Sequence, residues 1–216
     1  MKKIFEILNY APKRITAILL IALGVLVSGA VIFAWGPSRT TYTIDHPADR
    51  VTFNSITDNP NYGDERNFVI AKDASNMSAG GWSDTIDVTP GHEYLVRMYV
   101  HNNAAANLNL VSNNTRVMAN IPTNTGTQIQ IDGFVTSDNA SPQQVWDDVV
   151  LRSDKKFNLA YEAGTARYHN NIYPQGVALP DSIVTSSGAK VGYNQMDGNV
   201  PGCFQYSGIA TFKVKA

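Results

Sequence analysis

Residues 93–101, EYLVRMYVH, alternate without a break: Tyr94, Val96, Met98 and Val100 fall on one side of an extended chain, and Leu95, Arg97, Tyr99 and His101 on the other. The same two-residue period places Ile129, Ile131 and Val135 of TQIQIDGFV (127–135) on one face, with Gly133 as a candidate bulge. It also aligns Ala210, Phe212 and Val214 in the closing IATFKVK (209–215). Shorter runs of the same kind are VTFNSI (51–56), RNFVIAK (66–72), NTRVMANI (114–121), FNLAY (157–161), TARYH (165–169) and SIVTS (182–186). Turn-forming Asn, Pro and Gly separate them, as in TDNPNYGDE. A chain patterned this way buries its apolar faces by stacking sheets, which predicts an antiparallel β-sandwich over residues 49–216. One helix is expected: Ser141 suits an N-cap and Pro142 a first helical position, with Val145, Trp146, Val149 and Val150 at helical spacing. It would lead after one or two turns into a strand at VVLRS.

Ahead of the sandwich lies an uncharged run, Ile15 to Trp35, with Lys2, Lys3, Lys13 and Arg14 before it. Its 21 residues reach roughly 30 Å as a helix, the thickness of bilayer hydrocarbon. Leu, Ile, Val and Phe supply twelve of them, worth about −4 to −7 kcal/mol of insertion free energy. Ser28-Gly29-Ala30 resembles a cleavage site after a shorter core, Ile15–Val27, which would make the stretch a removable signal. Continuation of the run to Trp35, with Gly36-Pro37 beyond it, favours a retained anchor. The basic residues place the N-terminus in the cytoplasm and everything after Trp35 outside. The expected organisation is a cytoplasmic basic N-terminus (1–14), a transmembrane signal anchor (15–35), a linker (36–48) and an extracellular β-sandwich (49–216).

Residues 1–39 hold five basic residues and one acidic, which leaves 12 basic and 17 acidic residues downstream, a net charge of −5. Such a domain has no electrostatic footprint for nucleic acid. Cys203 is the chain's single cysteine, so no internal disulfide staples the fold; a half-buried thiol is the ordinary reading.

Searching for chemistry returns little. His46, His92, His101 and His169 show no zinc spacing with one another or with Cys203. No nucleophile elbow, phosphate loop or dinucleotide fingerprint is present, and SSGAKVGY lacks the Gly-Lys-Ser/Thr order of a phosphate cradle. DNPNYGDE (58–65) gathers oxygen ligands, but Pro60 and the late Gly63 break the EF-hand pattern, and a polar turn is the simpler account. Lys72 and Lys213 are the candidates for a Lys–Asn isopeptide crosslink. LPDS (179–182) lacks the rest of a wall-sorting signal, and the leader lacks a pilin junction. No catalytic, cofactor-binding or metal-ligating residue is therefore assigned, no cofactor is expected, and the chain is not expected to be an enzyme.

The stretch TPGHEYLVRMYVHNNAAANLNL, with NTRVMANIP, EAGTARYHNN and ATFKVKA downstream, resembles the prokaryotic conserved-repeat domain, also called domain of unknown function eleven. The likeness covers roughly residues 85–216, with long insertions around 121–145 and 170–205. Together with FAWGPSRTTYT, VTFNSITDNP, GDERNF and DGNVPGCFQYSG, the whole is similar to single-span surface proteins of candidate-phylum bacteria such as Saccharibacteria. The resemblance implies an immunoglobulin-like sandwich with a structural or adhesive role on the cell surface, and no activity. Within it, Pro90-Gly91 suits a turn that starts a strand, and Asn102-Asn103 suit a left-handed end to one.

Three readings follow. In the first, the chain is a membrane-anchored surface module, structural or adhesive, meeting an extracellular protein or glycan through its loops. In the second it is an extracellular ligand- or carbohydrate-binding module, favoured by Trp82, Trp146 or tyrosines lining a groove. The third, an envelope hydrolase, requires a cleft with clustered, shifted titratable groups.

Overall fold

The structure, a computed structural model, describes residues 35–216. Apart from Trp35, the expected cytoplasmic segment and membrane anchor lie outside these residues. Among the described residues no helix is long and apolar enough to cross a membrane.

The described chain is all-β. Its strands are β1 (Val69–Asp73), β2 (Thr85–Asp87), β3 (Glu93–Val100), β4 (Arg116–Asn120), β5 (Gly126–Thr136) and β6 (Gln144–Phe157), followed by β7 (Ala160–Tyr161), β8 (Arg167–His169), β9 (Val177–Ala178), β10 (Ala189–Lys190) and β11 (Gly208–Lys215). One sheet runs β1-β3-β11-β8-β9, with β7 also on β11; the other runs β10-β4-β5-β6-β2. Every pairing is antiparallel except β2 with β6, which is parallel and departs from the expected antiparallel pattern.

Alternation decides which faces meet. Tyr94, Val96 and Met98 of β3 and Ala210, Phe212 and Val214 of β11 are buried against Ile129, Ile131 and Val135 of β5 and Val145, Val149 and Leu151 of β6, in one core. Gly133 stands in the inward row of β5, where it permits close contact between the sheets rather than forming a bulge. A Cβ there would lie 2.6 Å from Val69 Cγ2 and 3.0 Å from Met98 Cε. The register shift falls instead between Gly126 and Gln128.

Two expectations of local structure are overturned. Residues 144–150 belong to β6, not to a helix. Val145, Trp146, Val149 and Val150 satisfy helical spacing, but Val145, Asp147, Val149 and Leu151 also satisfy strand spacing, and register with β5 from Gln144 to Leu151 decides between them. The backbone N–H groups of Phe68 and Val69 reward that choice by donating to Asp147 Oδ2, at 2.6 and 2.7 Å. Residues 181–184 form a 3-10 turn where a strand was expected. Ile183 is its buried residue, and Ser182 Oγ closes it by donating to the carbonyl of Gly188.

Residues 51–56 are wholly buried but contribute only isolated bridges, Phe53 to Asn102 and Tyr42 to Ile56. The stretch expected as a linker, 36–48, is hydrogen-bonded into the domain. Gly36 pairs with Trp146 on the edge of β6, Arg39 donates to Ser55 Oγ and the Asn54 carbonyl, and Ala48 bridges Ala104. The expected turn at Pro90-Gly91 is present, with Gly91 at φ +90°. Left-handed asparagines occur at 54, 109 and 114 instead of 102–103. Asn102 and Asn103 end β3 through their side chains, Asn102 donating to the carbonyl of Val200 and Asn103 to Glu65.

Candidate functional site

The first cluster of interest lies on the outer side of β3, under residues 54–65. Glu65 is fully buried and is held by three neighbours. Its Oε1 accepts from Asn59 Nδ2 at 2.5 Å and shares a 2.9 Å hydrogen bond with His101 Nδ1, while Oε2 accepts from Asn103 Nδ2 at 2.7 Å. Asn54 ties the same loop to β3, donating to the Tyr99 carbonyl and accepting from the His101 N–H. Tyr62 stacks on Tyr99 with ring centroids 4.0 Å apart, and Phe204 meets His101 edge-on at 5.9 Å. A carboxylate that orients an imidazole is part of a general-base arrangement. Here His101 Nε2 is enclosed, with no hydrogen-bond partner among the described residues, so no hydroxyl or thiol of these residues is in reach of it. The geometry holds a loop against a sheet.

The other residues singled out from sequence are dispersed. His46 and His92 are exposed, and His169 Nε2 lies 3.3 Å from Thr211 Oγ1. The acidic residues of 58–65 turn to separate partners: Asp58 accepts the Ile44 N–H, Asp64 pairs with Arg66, and Glu65 belongs to the buried cluster. Among the described residues, no group of three or more His, Cys, Asp and Glu side chains converges as metal ligands would. Lys72 Nζ donates to the Ser78 carbonyl and Lys213 Nζ to Glu93 Oε2, so neither amine is directed at an asparagine. Cys203 is half-buried, with an unusual φ of +110°. Trp82 has Lys72 Nζ and the Arg97 guanidinium each 4.7 Å from a ring centroid. The face of Trp146 is contacted by Gly36, where a Cβ would lie 2.0 Å from Trp146 Cζ2.

Two clefts remain. The larger, about 420 Å³, lies between Arg39 and Arg50. Arg39 spends its donors on Gly36, Pro37, Asn54 and Ser55, and Arg50, exposed at the cleft's edge, pairs with Asp49. Burial also pushes the Arg39 guanidinium down to about 10.

The second, about 380 Å³, crosses the outer face of β4 and β5. Its floor follows from register: Met118 of β4 pairs with Phe134 of β5, and Phe134 with Trp146 of β6, so three large outward side chains lie in one row. Asn120 and Gln144 flank the floor, and Val184, Thr185 and Ser186 form the far wall. That wall is fixed in place. Thr185 Oγ1 donates to the Ser182 carbonyl, and the Arg116 guanidinium donates to the Ser187 carbonyl. The groove is not legible from sequence, because SIVTS (182–186) reads as a strand and its far wall is instead built on the 3-10 turn at 181–184.

Comparison of the chain with protein-family models, with curated proteins and with solved structures finds no match.

Proposed function

We propose that the chain is a membrane-tethered cell-surface module, an immunoglobulin-like sandwich that makes adhesive contacts through the loops at one end. The observation that carries this reading is the placement of exposed apolar side chains. The register sets the end of β3, the end of β8 and the start of β11 side by side, with Val100 opposite Gly208 and His169 opposite Ile209. Four of the six large apolar side chains exposed among the described residues, Leu108, Val111, Ile172 and Phe204, lie on the loops leaving these strands, each 40–48% accessible; Ile44 and Met77 lie elsewhere. They are linked to one another: Val111 bridges Pro201, and Asn171 donates to the Gln205 carbonyl. Apolar side chains gathered at one end of a sandwich suit a protein partner. Ala216 lies at the opposite end, beside His92.

The run Ile15 to Trp35 supports the tether, and the basic residues before it support an external domain. The motif resemblance over roughly residues 85–216 points to the same surface role. Adherence of cells displaying the chain tests the reading. Leu108→Ser together with Ile172→Ser should reduce adherence to the level of cells lacking the chain, with thermal stability preserved. Unchanged adherence in the folded double variant would exclude the loop end as the contact.

A further inference from the structure

We propose that the groove floored by Met118 and Phe134 is a binding site for a neutral oligosaccharide, separate from the loop end and independent of the tether.

Shape comes first. A cleft of about 380 Å³ has the size of small-ligand sites. Its floor is an aromatic ring beside a thioether, both half-buried and both set by strand pairing rather than by a mobile loop. The C–H face of a pyranose packs on such a surface, since it removes apolar area from water while hydroxyl groups at the ring edge stay free. The row continues to Trp146, whose face is occupied by Gly36, so the open part of the platform is the Met118–Phe134 end.

The rim supplies the remaining chemistry. Asn120, Gln144, Thr185 and Ser186 are exposed and uncharged. Amides and hydroxyls both donate and accept, as sugar hydroxyls do, so this rim matches a polyol better than it matches a ligand of one polarity.

Charge then selects among glycans. None of the residues named on the groove's floor, rim or wall carries a charge. Charged neighbours lie beyond the lining: Asp132 accepts from Asn120 Nδ2 at 3.1 Å, the Arg116 guanidinium is occupied by the carbonyls of Ser187 and Gly188, and Lys190 pairs in register with Arg116. A neutral saccharide matches this uncharged lining, whereas a charged one would find no counter-charge among the residues that line the groove. Pinning of the 182–188 wall keeps the groove formed before the ligand arrives, which limits the ordering cost of binding.

The test uses the full-length chain in a zwitterionic detergent, avoiding glycoside headgroups. Cellohexaose, maltohexaose and chitohexaose are titrated by calorimetry, with a sulfated heparin hexasaccharide as the charged counterpart. At least one neutral hexasaccharide should bind, and Phe134→Ala should weaken it about tenfold or more. Gln144→Ala should weaken it by a smaller factor, and the loop-end double variant should bind as the parent does. Because Phe134 is only half-buried, its variant should fold; circular dichroism establishes this, and Gln144→Ala serves if it does not. The proposal is overturned if none of the three neutral saccharides binds, if binding survives in both groove variants, or if the sulfated hexasaccharide binds more tightly through the same residues. Loss of binding in the loop-end variant alone would also count against this site, while leaving the adhesive reading standing.

Discussion

The carboxylate of Asp147, on β6 of one sheet, accepts the backbone N–H of Val69, on β1 of the other, at 2.7 Å. Its Oδ2 also takes the Phe68 N–H, so one buried side chain satisfies two main-chain donors at the start of β1. Burial pushes this carboxyl up to about 8, and Asp84 nearby adds to the shift.

A stability consequence follows from the sign of that shift. Between about pH 4, where an unfolded Asp titrates, and about 8, the folded chain holds a proton that the unfolded chain has lost. Unfolding in that window releases protons, so this group's contribution to stability falls as pH rises and levels off above the folded value. Urea midpoints measured from pH 5 to pH 8.5 should decline for the parent and flatten for Asp147→Asn. Equal slopes in both proteins would remove Asp147 as the cause.

Asp147→Ala makes a different demand, because it leaves two buried N–H groups without an acceptor. A loss of about 2–6 kcal/mol is expected, from roughly 1–3 kcal/mol for each of the two unsatisfied donors. Chemical denaturation reads it directly, and a loss below about 0.5 kcal/mol would mean that water replaces the carboxylate.

The inter-sheet contact at Gly133 predicts the opposite kind of damage. A Cβ at this position meets Val69 and Met98 at 2.6 and 3.0 Å. Gly133→Val should therefore destabilise by about 1–3 kcal/mol through overpacking, with the smaller Gly133→Ala milder. If both substitutions were neutral, the sheets would stand further apart than described.

Cys203 occupies a backbone region that favours glycine, φ +110° and ψ 147°. Relief of the strain in Cys203→Gly should stabilise by about 1 kcal/mol, or raise Tm by roughly 2–4 °C for a domain of this size. A lowered Tm would show that the thiol's packing outweighs the strain.

Legibility from sequence followed the physics of burial. Strands with one apolar face, β3, β5 and β11, were legible because Val96, Ile131 and Phe212 repeat at a period that only a strand satisfies. The start of β6 was ambiguous because its valines fit two periods at once, and pairing with β5, a long-range contact, broke the tie and turned Asp147 inward. Residues 51–56 look like a strand because they are fully buried, yet their polar members bond to side chains, as Ser55 N–H does to Asn103 Oδ1. The buried Glu65–His101 pair was hidden for a related reason. Alternation alone places His101 on an outer face, and nothing local announces that a loop folds over it. The groove depends on a 3-10 turn meeting β4, a long-range contact that composition does not encode.

Exposure of the sandwich on the outer surface of the cell is the claim on which the functional account turns, and labelling tests it most directly. Met77 is 89% accessible, in the loop between β1 and β2. In a Cys203→Ser background, Met77→Cys offers one reactive thiol to a membrane-impermeant maleimide. The account predicts full modification on intact cells and no further gain after lysis. Modification that appears only after lysis would place the domain inside and contradict it.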